Sequence, residues 1–182
     1  MRVRRQALPV VATSILVAIW TAWWAWRAWP VSGLSWHFFA DGSWLLLHGS
    51  GLNLYADHPE LQTGPLSLAV AALLRPLPAS IAKSVALVAM TAAGPLLLVA
   101  LAPLVPAARR LRRMLIAAIV MAPAWTVLSV RWGHLDDVLA MALAIVALRS
   151  LCADRPVLAG AALVAAVVAQ PWDLGFMRLL MV

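Results

Sequence analysis

Three apolar runs, residues 8–29, 85–105 and 114–130, approach the ~20 residues that a helix needs to cross a bilayer core of ~30 Å, and arginines stand at their ends. A backbone inside lipid must satisfy its own N–H and C=O groups, so such runs fold as helices. With 64% hydrophobic residues, 12% charged ones and a mean hydropathy of +0.92, the chain cannot cover a water-facing surface at ordinary charge density. The expected fold class is therefore all-α, a polytopic transmembrane helix bundle. Over 182 residues, five or six such segments leave little for a separate soluble domain.

The net charge of +7 does not point to nucleic acid, because the basic residues lie at the ends of apolar runs rather than on a basic face interleaved with aromatics. Cys152 is the only cysteine, which removes any intrachain disulfide and any cysteine-based zinc site.

Charge placement gives a topology. Arg2, Arg4 and Arg5 precede the first run, whose length and lack of a small-residue cleavage site mark it as an anchor. It ends in Trp20, Trp23, Trp24, Trp26 and Trp29, with Arg27 among them, the composition of a membrane interface. Residues 30–65 mix Gly, Ser, His, Asp, Asn and Tyr with short amphipathic pieces such as Trp44-Leu45-Leu46-Leu47, and are expected to form a structured first extracytoplasmic loop on the membrane surface. Residues 66–77 are apolar but broken by Arg75 and Pro76, and too short to cross fully. Arg109, Arg110, Arg112 and Arg113 then mark the cytoplasmic side, which they share with the N-terminus under the positive-inside rule.

From there 114–130 crosses outward to Arg131-Trp132-Gly133-His134-Leu135-Asp136-Asp137. Residues 138–148 return to a turn holding Arg149, Asp154 and Arg155, and 157–169 go out again to Gln170-Pro171-Trp172-Asp173; both spans are short and need tilt or snorkelling. The expected protein is a multi-pass cell-membrane protein with a cytoplasmic N-terminus, Asp154 alone inside, and Asp41, Asp57, Glu60, Asp136, Asp137 and Asp173 outside. A full crossing by 66–77 would instead part the first loop's acids from Asp136 and Asp137 by the whole bilayer.

Two constellations carry possible chemistry. In Tyr55-Ala56-Asp57-His58-Pro59-Glu60-Leu61-Gln62-Thr63-Gly64-Pro65 the prolines fix backbone angles and Gly64 permits unusual ones, so carboxylates and an imidazole are held as proton-transfer groups require. A rigid loop cap with surface polar groups explains the same residues. In Gly133-His134-Leu135-Asp136-Asp137 the two acids enter the first turn of a helix, where they complement its dipole. Sugar or metal binding is the functional alternative, with His134, His58 or His37 as nitrogen donors. Adjacent side chains do not share a helix face, which argues against a metal held by this acid pair alone. No phosphate-cradling Gly-rich loop, HExxH or GxSxG motif is present.

The succession of a basic N-terminus, an anchor helix, the first-loop run Asp41-Gly42-Ser43-Trp44-Leu45-Leu46-Leu47-His48-Gly49, then Leu54-Tyr55, the loop 57–66 and Trp132-Gly133-His134-Leu135-Asp136-Asp137 resembles the N-terminal half of a GT-C-type, polyprenyl-phosphate-mannose-dependent membrane glycosyltransferase. The resemblance implies an inverting transfer of a sugar, mannose in that family, from a polyprenyl phosphate donor to a lipid or glycan acceptor outside the cytoplasmic membrane, with membrane lipids as surroundings and no nucleic acid, cofactor or resident metal. It implies a first-loop acid as general base on the acceptor hydroxyl, with Asp41 the nearest match and Asp57 and Glu60 the alternatives. His58, Gln62, Arg131, His134, Asp136 and Asp137 would bind substrate, a cation among them offsetting the leaving phosphate. The chain departs from the family at Ser35, near which the family's acid commonly stands. Members are also longer, so 1–182 is expected to be a single membrane domain corresponding to the N-terminal half, which alone could lack the donor site and be inactive. The alternatives are a transporter-like or a noncatalytic small polytopic membrane protein.

Overall fold

A computed structural model describes residues 2–49 and 51–171, and among them all regular structure is helical. In chain order the helices are α1 (Arg2–Ala28), α2 (Trp36–His48), α3 (Leu54–Asp57), α4 (Pro65–Ala72), α5 (Ala79–Leu101), α6 (Arg110–Thr126), α7 (Leu135–Cys152) and α8 (Pro156–Ala169). A π-helical segment, Val127–Trp132, prolongs α6. Three stretches, Val10–Val31, Ala79–Leu104 and Ala107–Trp132, are long and apolar enough to cross a membrane. The chain is built as a membrane protein: Leu96 of α5 and Ile119 and Val120 of α6 are exposed, as lipid-facing side chains are.

Two ties fix the directions of the long helices. Helix ends leave carbonyls without intrahelical partners; here those of Val130, Arg131 and Trp132 accept from the N–H groups of Gly33, Leu34 and Ser35 at 2.8, 3.0 and 2.8 Å. The C-terminal ends of α1 and of the α6 extension therefore meet, and the two helices run parallel. Between them α5 runs the other way: Lys83, near its start, lies against Gly33, while Leu98 and Ala102 pack with Val17 of α1 and Met114 of α6. Trp125 of α6 is buried over Gly94, where an added Cβ would stand 2.6 Å from the indole ring, and its Nε1 donates to the Met90 carbonyl at 3.0 Å.

The 33–35 tie depends on glycine. Gly33 and Gly133 both lie in the left-handed region, at φ of 61° and 73°, and a Cβ on Gly133 would come within 3.1 Å of the Gly33 Cα. A side chain at position 133 meets both strain and backbone.

At the same end α8 closes on α4. Ala169 O accepts from Gly64 N at 3.1 Å and from the Ser67 hydroxyl at 2.8 Å. Gly64 has an ordinary φ of −72°, so its role is spatial rather than conformational, contrary to the expectation above. A Cβ there would collide with the Val168 and Ala169 carbonyl oxygens.

The segment 66–77 does not cross: α4 has eight residues, about 12 Å of helix, and a turn follows. The tips at 33–35, 64–67, 131–137 and 170 therefore gather at one end of the bundle, and Arg109, Arg110, Arg112, Arg113 and Asp154 lie at the other.

Residues 30–65 differ from the loop expected. Thirteen of them form α2, which buries Trp36, Phe39, Gly42 and Ser43 at helical spacing. Gly42, expected within the first outer loop, lies mid-helix with Leu68 of α4 packed where its side chain would be, 2.8 Å from an added Cβ. The return helix expected over 138–148 is longer, since α7 has 18 residues. Trp172 and Asp173 lie outside the described residues.

Candidate functional site

The polar end holds two groups of chemically capable side chains, and the first centres on His134. Gly133 ends the π-helical segment, and the N–H groups of Gly133 and His134 both donate to Leu128 O at 3.0 and 3.1 Å. That hooked turn sets His134 just ahead of α7, whose first turn carries Asp136 and Asp137 before the apolar stretch at 138–148 begins. His134 Nδ1 lies 2.9 Å from Asp137 Oδ2, and His134 Nε2 lies 3.2 Å from the Ser35 hydroxyl. From α8, Gln170 Nε2 donates at 3.1 Å both to Asp136 Oδ2 and to Asp137 Oδ1. Asp137 N donates to Asp136 Oδ1 at 3.0 Å.

Adjacent carboxylates thus do converge, because Gln170 reaches them from another helix, which single-helix reasoning does not foresee. Asp136 is buried, at 4% exposure, and burial together with the Asp137 charge pushes its carboxyl up to about 6. Burial alone would raise Asp137 too, but hydrogen bonds from His134 and Gln170 hold it below its ordinary value. The Asp137 hydrogen bond raises the His134 imidazole despite its partial burial.

Ligand atoms of His134, Asp136 and Asp137 lie within 4.8 Å of one another, close enough to share one divalent ion. The carboxylates are nevertheless satisfied by protein donors, so the cluster does not need an ion to hold its shape. Gln170 Oε1 is buried and has no hydrogen-bond partner among the described residues.

The second group lines a cavity of about 820 Å³ between the 30–34 segment, α2, the α4 exit and the start of α5. Asp41 and His37 of α2, Arg75, and Ser80 and Lys83 of α5 are among the polar residues that line it. The Lys83 stem lies against Gly33, and Lys83 lines the cavity.

The remaining sequence candidates are dispersed. Asp57 and Glu60 are exposed around the α3 exit. His58 Nδ1 pairs with Glu60 Oε1 at 3.1 Å, and a backbone hydrogen bond, then His58, lowers the Glu60 carboxyl. Tyr55 OH donates to Thr63 O at 2.8 Å, and burial pushes the phenol up to about 12. Gln62 is exposed and borders a smaller hollow beside Pro171, while exposed Arg131 stacks on Trp132 with its guanidinium carbon 5.9 Å from the ring centre. His37 binds Leu34 O, so His37, His58 and His134 each have separate partners.

Sequence reasoning did not single out Ser35, Gln170, Arg75 or Lys83 as site residues. Ser35 and Gln170 join the cluster across long stretches of chain, and the only local signal was glycine at 33 and 133.

No family model, curated protein or solved structure matches the chain.

Proposed function

We propose that the chain is the N-terminal membrane domain of a glycosyltransferase that moves a sugar, mannose by resemblance, from a polyprenyl phosphate to a lipid or glycan acceptor outside the cytoplasmic membrane. The observation that carries this proposal is the cavity in which one carboxylate, Asp41, shares the walls with two cations, Arg75 and Lys83. A sugar phosphate on a lipid carrier is presented at the headgroup plane, next to the ends of membrane-crossing helices, and this cavity opens beside the start of α5. In the proposed reaction Asp41 takes the proton of the acceptor hydroxyl as its oxygen bonds to the anomeric carbon. The bond from that carbon to the phosphate oxygen breaks with inversion, and Lys83 and Arg75 offset the phosphate charge.

In this proposal Lys83 and Arg75 take the role that the resemblance gives to Arg131, His58 or His134. The His134 cluster keeps α7, α8 and the 33–35 segment in register beside the cavity. A transporter would instead place ionisable groups along a path within its spans.

Membranes carrying the chain, given radiolabelled polyprenyl-phosphate-mannose, are expected to transfer label to a lipid or glycan acceptor above membranes without it. Transfer no greater than in those controls overturns the proposal.

Orientation follows from the positive-inside rule, with the arginine-rich end cytoplasmic and the chain multi-pass. Cys152 is exposed at the end of α7 remote from Asp136 and serves as a native probe. An impermeant maleimide is expected to leave it unlabelled in intact cells and to label it after lysis. Labelling in intact cells would place this end outside and reverse the assignment.

A further inference from the structure

Ser35 stands at the N-cap of α2, where a serine hydroxyl ordinarily accepts from an N–H of the helix's first turn. It makes no such bond. Its oxygen instead lies 3.2 Å from His134 Nε2, and the opposite ring nitrogen lies 2.9 Å from Asp137 Oδ2. Hydroxyl, imidazole and carboxylate therefore stand in the order that activates a serine, with each ring nitrogen facing the partner the relay requires. The Asp137 carboxylate favours the tautomer with its proton on Nδ1, which leaves the Nε2 lone pair to the hydroxyl.

The backbone holds this arrangement from both sides. Ser35 N donates to Trp132 O at 2.8 Å, His134 N donates to Leu128 O at 3.1 Å, and Gln170 secures Asp137 at 3.1 Å. No nucleophile-elbow sequence announces the serine, because its base comes from the far side of α6. Exposed Leu34 and Trp132 flank the relay and give it an apolar rim at the end of the membrane-crossing helices.

We propose that Ser35 is a nucleophile towards carboxylic esters carried on membrane-resident acyl chains. The Ser35 oxygen bonds to the ester carbonyl carbon while its proton passes to His134 Nε2. The tetrahedral adduct forms beside the N-terminal turn of α2, whose dipole favours its negative oxygen. It collapses as the carbon–oxygen bond to the alcohol breaks, and His134 returns the proton to the departing alcohol. Water then attacks the acyl-serine with His134 again taking the proton, which releases the acid and restores Ser35. Ester and water go in, acid and alcohol come out, and no redox partner is needed. This activity is independent of sugar transfer and of the Asp41 cavity.

The whole chain in phospholipid nanodiscs, treated with a long-chain alkyl fluorophosphonate and mapped by mass spectrometry, is expected to carry the phosphonyl group on Ser35. Heat-denatured protein should not. His134→Gln is expected to slow labelling at least about 100-fold, and Ser35→Ala to abolish it at this position. Native wild-type protein that gains no adduct on Ser35 overturns the proposal, and so does an adduct forming at the wild-type rate in His134→Gln. Because the decisive measurement is on the unaltered chain, a variant that fails to fold does not shelter it. Thermal melts of each variant separate a lost relay from a lost fold.

Discussion

Asp41→Asn is expected to lower sugar transfer by about 100- to 10,000-fold, the range over which a positioned general base ordinarily acts, while leaving the fold in place. The side chain is exposed and makes no hydrogen bond or ion pair among the described residues, so its amide should shift stability by no more than about 0.5 kcal/mol. Lys83→Met is the companion change. It keeps an unbranched stem against Gly33 but removes the charge, and about 100-fold is expected because the lost group would meet the departing phosphate. Initial rates at saturating donor, normalised to folded protein, give both values. Transfer unchanged in Asp41→Asn would take this carboxylate out of the chemistry. An effect of Lys83→Met confined to KM would make the lysine a binding group rather than one that stabilises charge as the bond breaks.

The long helices were legible because lipid imposes a simple demand: a run of apolar residues must be helical, and its arginine-rich end must meet water. Even the shortness of 66–77 could be read, since Arg75 and Pro76 interrupt it. Residues 30–65 were harder, because α2 is helical for a tertiary reason. Gly42 would weaken an isolated helix, yet here it is the space into which Leu68 fits. The site was only partly legible for the same cause. His134, Asp136 and Asp137 stand in one short polar motif between apolar runs, but what they bind depends on backbone pairing between 33–35 and 130–132. No local pattern announces Ser35 as a partner of His134. Gln170 looked like the start of a polar turn, and its amide became meaningful only where α8 ends against α7. Asp41 could be picked out as a first-loop acid, whereas Arg75 and Lys83 read as residues at span ends until folding brought them to the same cavity.

Raising the pH from 5 to 8 is expected to loosen the polar end of the bundle, and Asp136→Asn to remove most of that response. Burial, then the Asp137 charge, lifts the Asp136 carboxyl from 3.8 to about 6, so the folded chain keeps a proton that the unfolded chain has lost. Its contribution to stability is full below about 3.8 and is lost as the pH rises past about 6. His134, raised by its bond to Asp137, likewise stabilises the fold below 6.5 and ceases to do so as the pH climbs through its folded value. Asp137 behaves oppositely: its lowered carboxyl contributes above 3.8 and loses that only in stronger acid, so it stays constant across this window. Two contributions therefore weaken with alkalinity and none grows. For Asp136 the whole displacement is worth on the order of 3 kcal/mol, of which roughly half remains to be lost above pH 5. Thermal melts in nanodiscs should fall by a few degrees over the range. An asparagine at position 136 imitates the protonated acid in carrying no charge anywhere in this pH range. The variant should match wild type near pH 5 and melt higher at pH 8. If it shows the same fall as wild type, the ionisation of Asp136 is not what loosens this end.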